Sequence, residues 1–131
     1  MPYNLNPPQA KAVLALDSRA RSTHCLGRIG DCEELWGARN DEGWLIRCAP
    51  DDGQYFPIWP HPEYARITLG DLFPGHTAVR ITLDDFMSGW LPRFKDEGVK
   101  IGIFPNVEWK MWLMEAGDVI VRLNDEIAQY E

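Results

Sequence analysis

The chain has 131 residues, a formal net charge of −7, 45% hydrophobic and 25% charged residues. That length suits one domain and can bury a core without a disulfide or metal. The ordinary apolar fraction excludes a disordered chain, and a pI near 4.9 excludes a generic nucleic-acid surface, which needs a basic footprint.

The opening, Met1 to Pro8, has neither a charged start nor an apolar run, so no secretory leader is expected. Asn6 before Pro7 is a helix start, because asparagine caps and proline suits the first turn. A short helix is expected over Pro8 to Leu16. Asp17 and Ser18 mark a break and a second cap, with a helix from Arg19 to about Gly30. Two strands should follow, one around Leu35 to Ala38 and one over Trp44 to Cys48, joined by a turn at Asn40 to Gly43. Asp51-Asp52-Gly53 is a further turn. Tyr55 to Trp59 is a strand whose Pro57 predicts an edge position or an early end.

Pro60 to Ala65 opens a short helix, Gly70 to Gly75 reads as loop, and Thr77 to Ile81 as strand. The clearest helix begins at Thr82, with Asp85 in a capping-box position. Its Leu83, Phe86, Met87, Trp90, Leu91 and Phe94 share a face. Pro92 predicts a kink or stop near Trp90-Leu91, and Gly98 the end. Val99 to Pro105 alternates as a strand. Trp109 to Met114 is a strand or an aromatic loop, and Asp118 caps a last helix. Tight turns between consecutive strands favour antiparallel pairing, which predicts an α+β fold with a small, mainly antiparallel sheet flanked by helices. The expected organisation is one domain over residues 1–131, ending in an aromatic segment and helix over 106–131.

No apolar stretch reaches the roughly 18–20 residues that span a bilayer. Cys25, Cys32 and Cys48 form no Cys-x-x-Cys pair. An odd count without a leader fits reduced thiols in a cytoplasm. His24, Cys25, Cys32, His61 and His76 match no zinc spacing, so no metal and no cofactor are expected. Cys25 follows His24, but adjacent helical residues face apart, so it reads as a small core residue. There is no Gly-x-Ser-x-Gly and no phosphate loop. Residues 31–52 hold seven acids against Arg39 and Arg47, a solvated face or a patch for a basic partner.

The densest signal is Phe56-Pro57-Ile58-Trp59-Pro60-His61-Pro62-Glu63-Tyr64-Ala65. Three prolines stiffen the backbone around an indole, an imidazole, a carboxylate and a phenol. Such a segment is either a preorganised site or a strand-to-helix junction with its aromatics in the core. Six tryptophans add a second signal. Trp90 belongs to a helix core, and Trp36 and Trp44 are placed to pack across a hairpin. If Trp109 and Trp112 lie in a strand, their rings point to opposite faces and one is exposed.

Glu34 to Gly37, Glu42 to Trp44, Pro57 to Ala65, Phe86 to Pro92 and Gly98 to Pro105 carry a likeness. In that order they resemble a family of small bacterial proteins of unknown function, DUF2750. The Trp-Pro-His-Pro-Glu-Tyr-Ala block and the closing Gly-Ile-Phe-Pro are its most specific parts. The likeness covers roughly residues 18–105 and implies a small bacterial cytosolic protein, with no reaction or ligand attached.

Small size, acidity, many aromatics and absent catalytic signatures together favour a non-enzymatic protein-binding or adaptor domain, of the immunity-protein kind among others. The candidate binding residues are Trp59, His61, Glu63, Tyr64, Trp109 and Trp112. Two alternatives stand beside it. One is a small enzyme or small-molecule binder with a pocket around His61. The other is a homodimer joined through the C-terminal aromatic segment. A protein partner or self-association is expected, without nucleic acid or membrane.

Overall fold

A computed structural model describes residues 4–129. Met1 to Tyr3, at the start of the segment where no secretory leader is expected, lie outside them. Among the described residues, no helix is long and apolar enough to cross a membrane.

Helix α1 (Pro7–Leu14) starts as its cap predicts. Asn6 Oδ1 accepts the Gln9 N–H at 2.9 Å, and Gln9 Oε1 accepts the Asn6 N–H. Helix α2 (Ser18–Cys32) starts on Asp17, whose carboxylate accepts the Ala20 N–H at 2.8 Å. It ends at Glu33 in the left-handed conformation.

Strand β1 (Glu34–Asn40) then turns through Asp41-Glu42 into β2 (Gly43–Trp44). Asn40 Oδ1 holds the turn by accepting the Glu42 N–H. The expected strand over 44–48 is split. Trp44 ends β2, and β3 (Arg47–Ala49) belongs to a different sheet. The run Trp44-Leu45-Ile46 is apolar throughout, so its pattern does not mark the point where the chain leaves one sheet for the other.

Strand β4 (Gly53–Ile58) leads into α3 (Pro62–Leu72), and β5 (Thr77–Thr82) follows. The region read as loop from Gly70 is still helix to Leu72. Tyr64, Ala65, Thr68 and Leu69 recur at helical spacing and are all buried, which carries the helix past its glycine. After β5 come α4 (Leu83–Asp85), a π-helical turn over Phe86–Trp90, and α5 (Leu91–Glu97). Thr82 caps this run as expected, its hydroxyl accepting the Asp85 N–H at 3.1 Å. Pro92 does not stop the run. The Leu91 N–H bonds Phe86 O, five residues back, and this wider turn gives the proline ring room beside the preceding carbonyls. Gly98 closes α5 at φ 73.

Strands β6 (Lys100–Ile103) and β7 (Trp112–Met114) precede α6 (Ala116–Ala128). The cap of α6 is Glu115, with Asp118 inside the first turn. There the acid still faces the positive end of the helix dipole.

The fold is α+β with two sheets, ordered β2-β1-β5 and β3-β4-β6-β7. All pairs are antiparallel except β4 with β6. Trp36 and Trp59 join the sheets by exchanging both backbone hydrogen bonds at 2.9 Å. Pro57 therefore lies in an interior strand, against the edge expectation. Ile58 turns its carbonyl to β6, accepting the Phe104 N–H. By alternation Pro57 faces the other side. There β3 pairing ends at Tyr55 and the Trp36 bridge begins at Trp59. The missing N–H falls in the gap between two neighbours and breaks no ladder.

Helix α2 packs on α6 and reaches β1, β6 and β7, while α3 lies against β1 and β5. Leu26, Ile29, Ile58, Phe86, Leu91, Ile101, Ile103 and Leu123 fill the space between. Along α6, Val119 and Leu123 are buried, and Ile120 and Ile127 pack beside them.

Candidate functional site

The proline-stiffened motif folds into a junction. Trp59 is fully buried, and its indole N–H donates to Pro105 O at 3.1 Å. The Thr68 hydroxyl donates to the same carbonyl at 3.3 Å. His61 is the N-cap of α3, its Nδ1 accepting the Glu63 N–H at 3.1 Å. In the neutral ring this leaves the proton on Nε2. The ring is 6% exposed, between Trp36 and Tyr64. Tyr64 is buried on Phe104, with ring centroids 4.7 Å apart. Trp59, His61 and Tyr64 thus hold β4, α3 and the end of β6 together. Glu63 is half-buried and, of the motif's described residues, lines the shallow groove between α3 and α1 together with Ile67.

Phe104 is what allows this meeting. It is buried at φ 59, a conformation that bulky residues rarely adopt. That kink ends β6 and turns Pro105 O toward Trp59. Arg21, a residue without any flag in the sequence, secures the same loop. Its buried guanidinium donates to Phe104 O at 3.1 Å, to Lys110 O at 2.8 Å and to Leu16 O. Burial pulls its pKa down, and the three carbonyls replace lost water contacts.

The C-terminal aromatics separate. Trp109 lies in the loop before β7 at φ 59. It is half-buried, bonded through its indole N–H to Tyr55 Oη at 2.7 Å, and packed on Phe73. Trp112 begins β7 and is 40% exposed. Val121 of α6, 59% exposed, lines the same concavity, with Lys100, Glu115, Asp118 and Arg122 at its margins.

A larger concavity lies elsewhere, about 720 Å³ against the π-helical turn. Trp44, Trp90 and Phe94 wall it, and Asp85, Arg93 and Glu97 stand at its rim. Trp44 does not pack across its hairpin on Trp36. It sits opposite Arg39, three residues beyond Trp36, hence on the other face of the sheet. It meets Trp90 edge-on at 4.8 Å and Phe56 at 5.9 Å. Trp90, expected in the core, is half-buried with one side open to this space. The one sequence signal for the cavity was Pro92 inside an otherwise helical pattern, since a proline there demands a local departure from the α-helix.

Cys25 is fully buried in the core, as expected. Burial raises Cys25 well above the ordinary thiol range, and burial with Asp31 raises Cys32. Among the described residues, no three His, Cys, Asp or Glu side chains are grouped to hold a metal.

No curated protein and no solved structure matches the chain. A family model described as "Protein of unknown function (DUF2750)" matches residues 23–123. That span takes in the hairpin, the proline-stiffened motif, the π-helical turn and most of α6. The chain belongs to the DUF2750 family of proteins of unknown function.

Proposed function

We propose that this chain is a non-enzymatic protein-binding domain whose contact face is β7 with the outer side of α6. The observation that carries it is the exposure of Trp112 beside Val121 on a strand that pairs on one side with β6. An indole and an aliphatic side chain at a sheet edge give a partner both strand pairing and an apolar anchor. The structural duties of Trp59, His61 and Tyr64 favour binding over catalysis. The net charge of −7 suits a basic partner, as for an adaptor or an immunity-type inhibitor.

The mixed signs on this face favour a second reading, self-association. Lys100 and Arg122 beside Glu115 and Asp118 make a self-complementary patch, which a two-fold contact requires.

The test is affinity capture from native lysate of the source organism, with light scattering on the purified chain. The wild type should retain a stoichiometric protein, or a second copy, that Trp112→Glu loses while keeping its far-UV spectrum. A chain that stays at 15.0 kDa at high micromolar concentration and retains nothing stoichiometric would overturn both readings.

A further inference from the structure

The cavity against the π-helical turn shares no lining residue with the Trp112 face, so it is a separate opportunity for binding. The geometry points to a site for an alkylammonium group, a quaternary or methylated amine, between Trp44, Trp90 and Asp85.

Size admits such a ligand: about 720 Å³ falls in the range of small-molecule sites, roughly 300–1,000 Å³. The walls suit its chemistry. Trp44 and Trp90 stand at 84° to each other and form an indole corner, with Phe94 a further 5.9 Å from Trp90. Indole faces attract cations, most of all weakly hydrated ones that also carry apolar methyls. Trp44 already holds one cation this way, the Arg39 guanidinium 5.4 Å from its ring centre.

Charge selects the sign. Arg93 is paired with Glu97 at 3.0 Å, so among the lining residues the surplus is the exposed carboxylate of Asp85, while Arg39 stands over Trp44 from outside the lining. An anion would meet Asp85 with Arg93 already engaged, and a neutral ligand would leave Asp85 without a counter-charge.

The experiment follows the indole N–H signals of Trp44 and Trp90 by NMR during titration of the full chain. The probes are tetramethylammonium, choline and the neutral choline isostere 3,3-dimethylbutan-1-ol. Saturable shifts are expected for both ammonium ions, with the isostere at least ~5-fold weaker. Asp85→Asn should weaken the ammonium ions about 5-fold and leave the isostere unchanged. Gly89→Leu should weaken the ammonium ions at least ~5-fold, because Gly89 lines the cavity, a Cβ there meets nothing within 4 Å, and leucine adds bulk without a π face. A peptide bearing trimethyl-lysine that binds more tightly than choline assigns the ammonium to a protein side chain; the reverse order assigns it to a free small molecule. Equal binding of the isostere, ammonium binding undiminished in Gly89→Leu, or no saturable shift at all would overturn the site. None of these readouts depends on Trp112.

Discussion

Trp59 donates its indole N–H to the carbonyl of Pro105, 3.1 Å away and 46 residues on in sequence. This one bond joins the two most specific stretches of the family pattern, Trp59 to Ala65 and Gly102 to Pro105. Their shared presence is explained by packing: the first supplies donor and rings, the second a kinked backbone that receives them. Trp59→Phe keeps an aromatic ring and removes the donor. It should lower stability by about 2–3 kcal/mol, combining a lost buried hydrogen bond with a small cavity. Urea denaturation measures this, and a wild-type midpoint would show that the bond is dispensable.

Arg21 ties α2 to the same loop from the opposite side. Its donors reach Leu16, Phe104 and Lys110 carbonyls. Arg21→Met should cost about 3–5 kcal/mol, since buried carbonyls lose their partner. Arg21→Lys should recover less than half of that, because a single ammonium cannot copy the planar fork. Thermal unfolding of the pair decides it, and full rescue by lysine would reduce the role to charge alone.

Two glycines predict opposite outcomes. A Cβ at Gly30 would stand 2.7 Å from Glu126 Cβ, where α2 crosses α6. Gly30→Ala must push the helices apart and should destabilise by about 1–3 kcal/mol. A Cβ at Gly70 meets nothing within 4 Å on the exposed side of α3. Gly70→Ala should stabilise by up to ~1 kcal/mol through helix propensity. Chemical denaturation of both variants should move the midpoint in opposite directions.

His24 makes stability depend on pH. Its Nε2 is buried with no hydrogen bond among the described residues. Burial, and then the charge of Arg28, hold its pKa below 6.5. The unfolded chain therefore takes up the proton first as pH falls. The contribution is fully present above about 6.5 and is lost on descending through the lower folded value. Between pH 7 and pH 5 the urea midpoint should fall more for the wild type than for His24→Leu. Equal falls would place the titration elsewhere.

Local chemistry was legible in the sequence. Asn6, Asp17 and Thr82 cap the helices they precede, Gly98 ends one, and the apolar spacing of α6 marks its buried face. These features depend on neighbours within a turn or two, so residue type and spacing determine them. The α+β class follows likewise from short strands and tight turns. What the sequence left open needed distant partners. Pro57 sits inside a sheet because two other strands happen to flank it there. Pro92 sits inside a helical run because a π-helical turn precedes it. The tryptophans look alike in sequence, yet long-range packing makes Trp59 a core strut, Trp44 and Trp90 a cavity wall, and Trp112 an exposed edge. An indole is large enough to be core, wall or surface. Only the tertiary fold, which sets what lies on each side of the ring, decides between them.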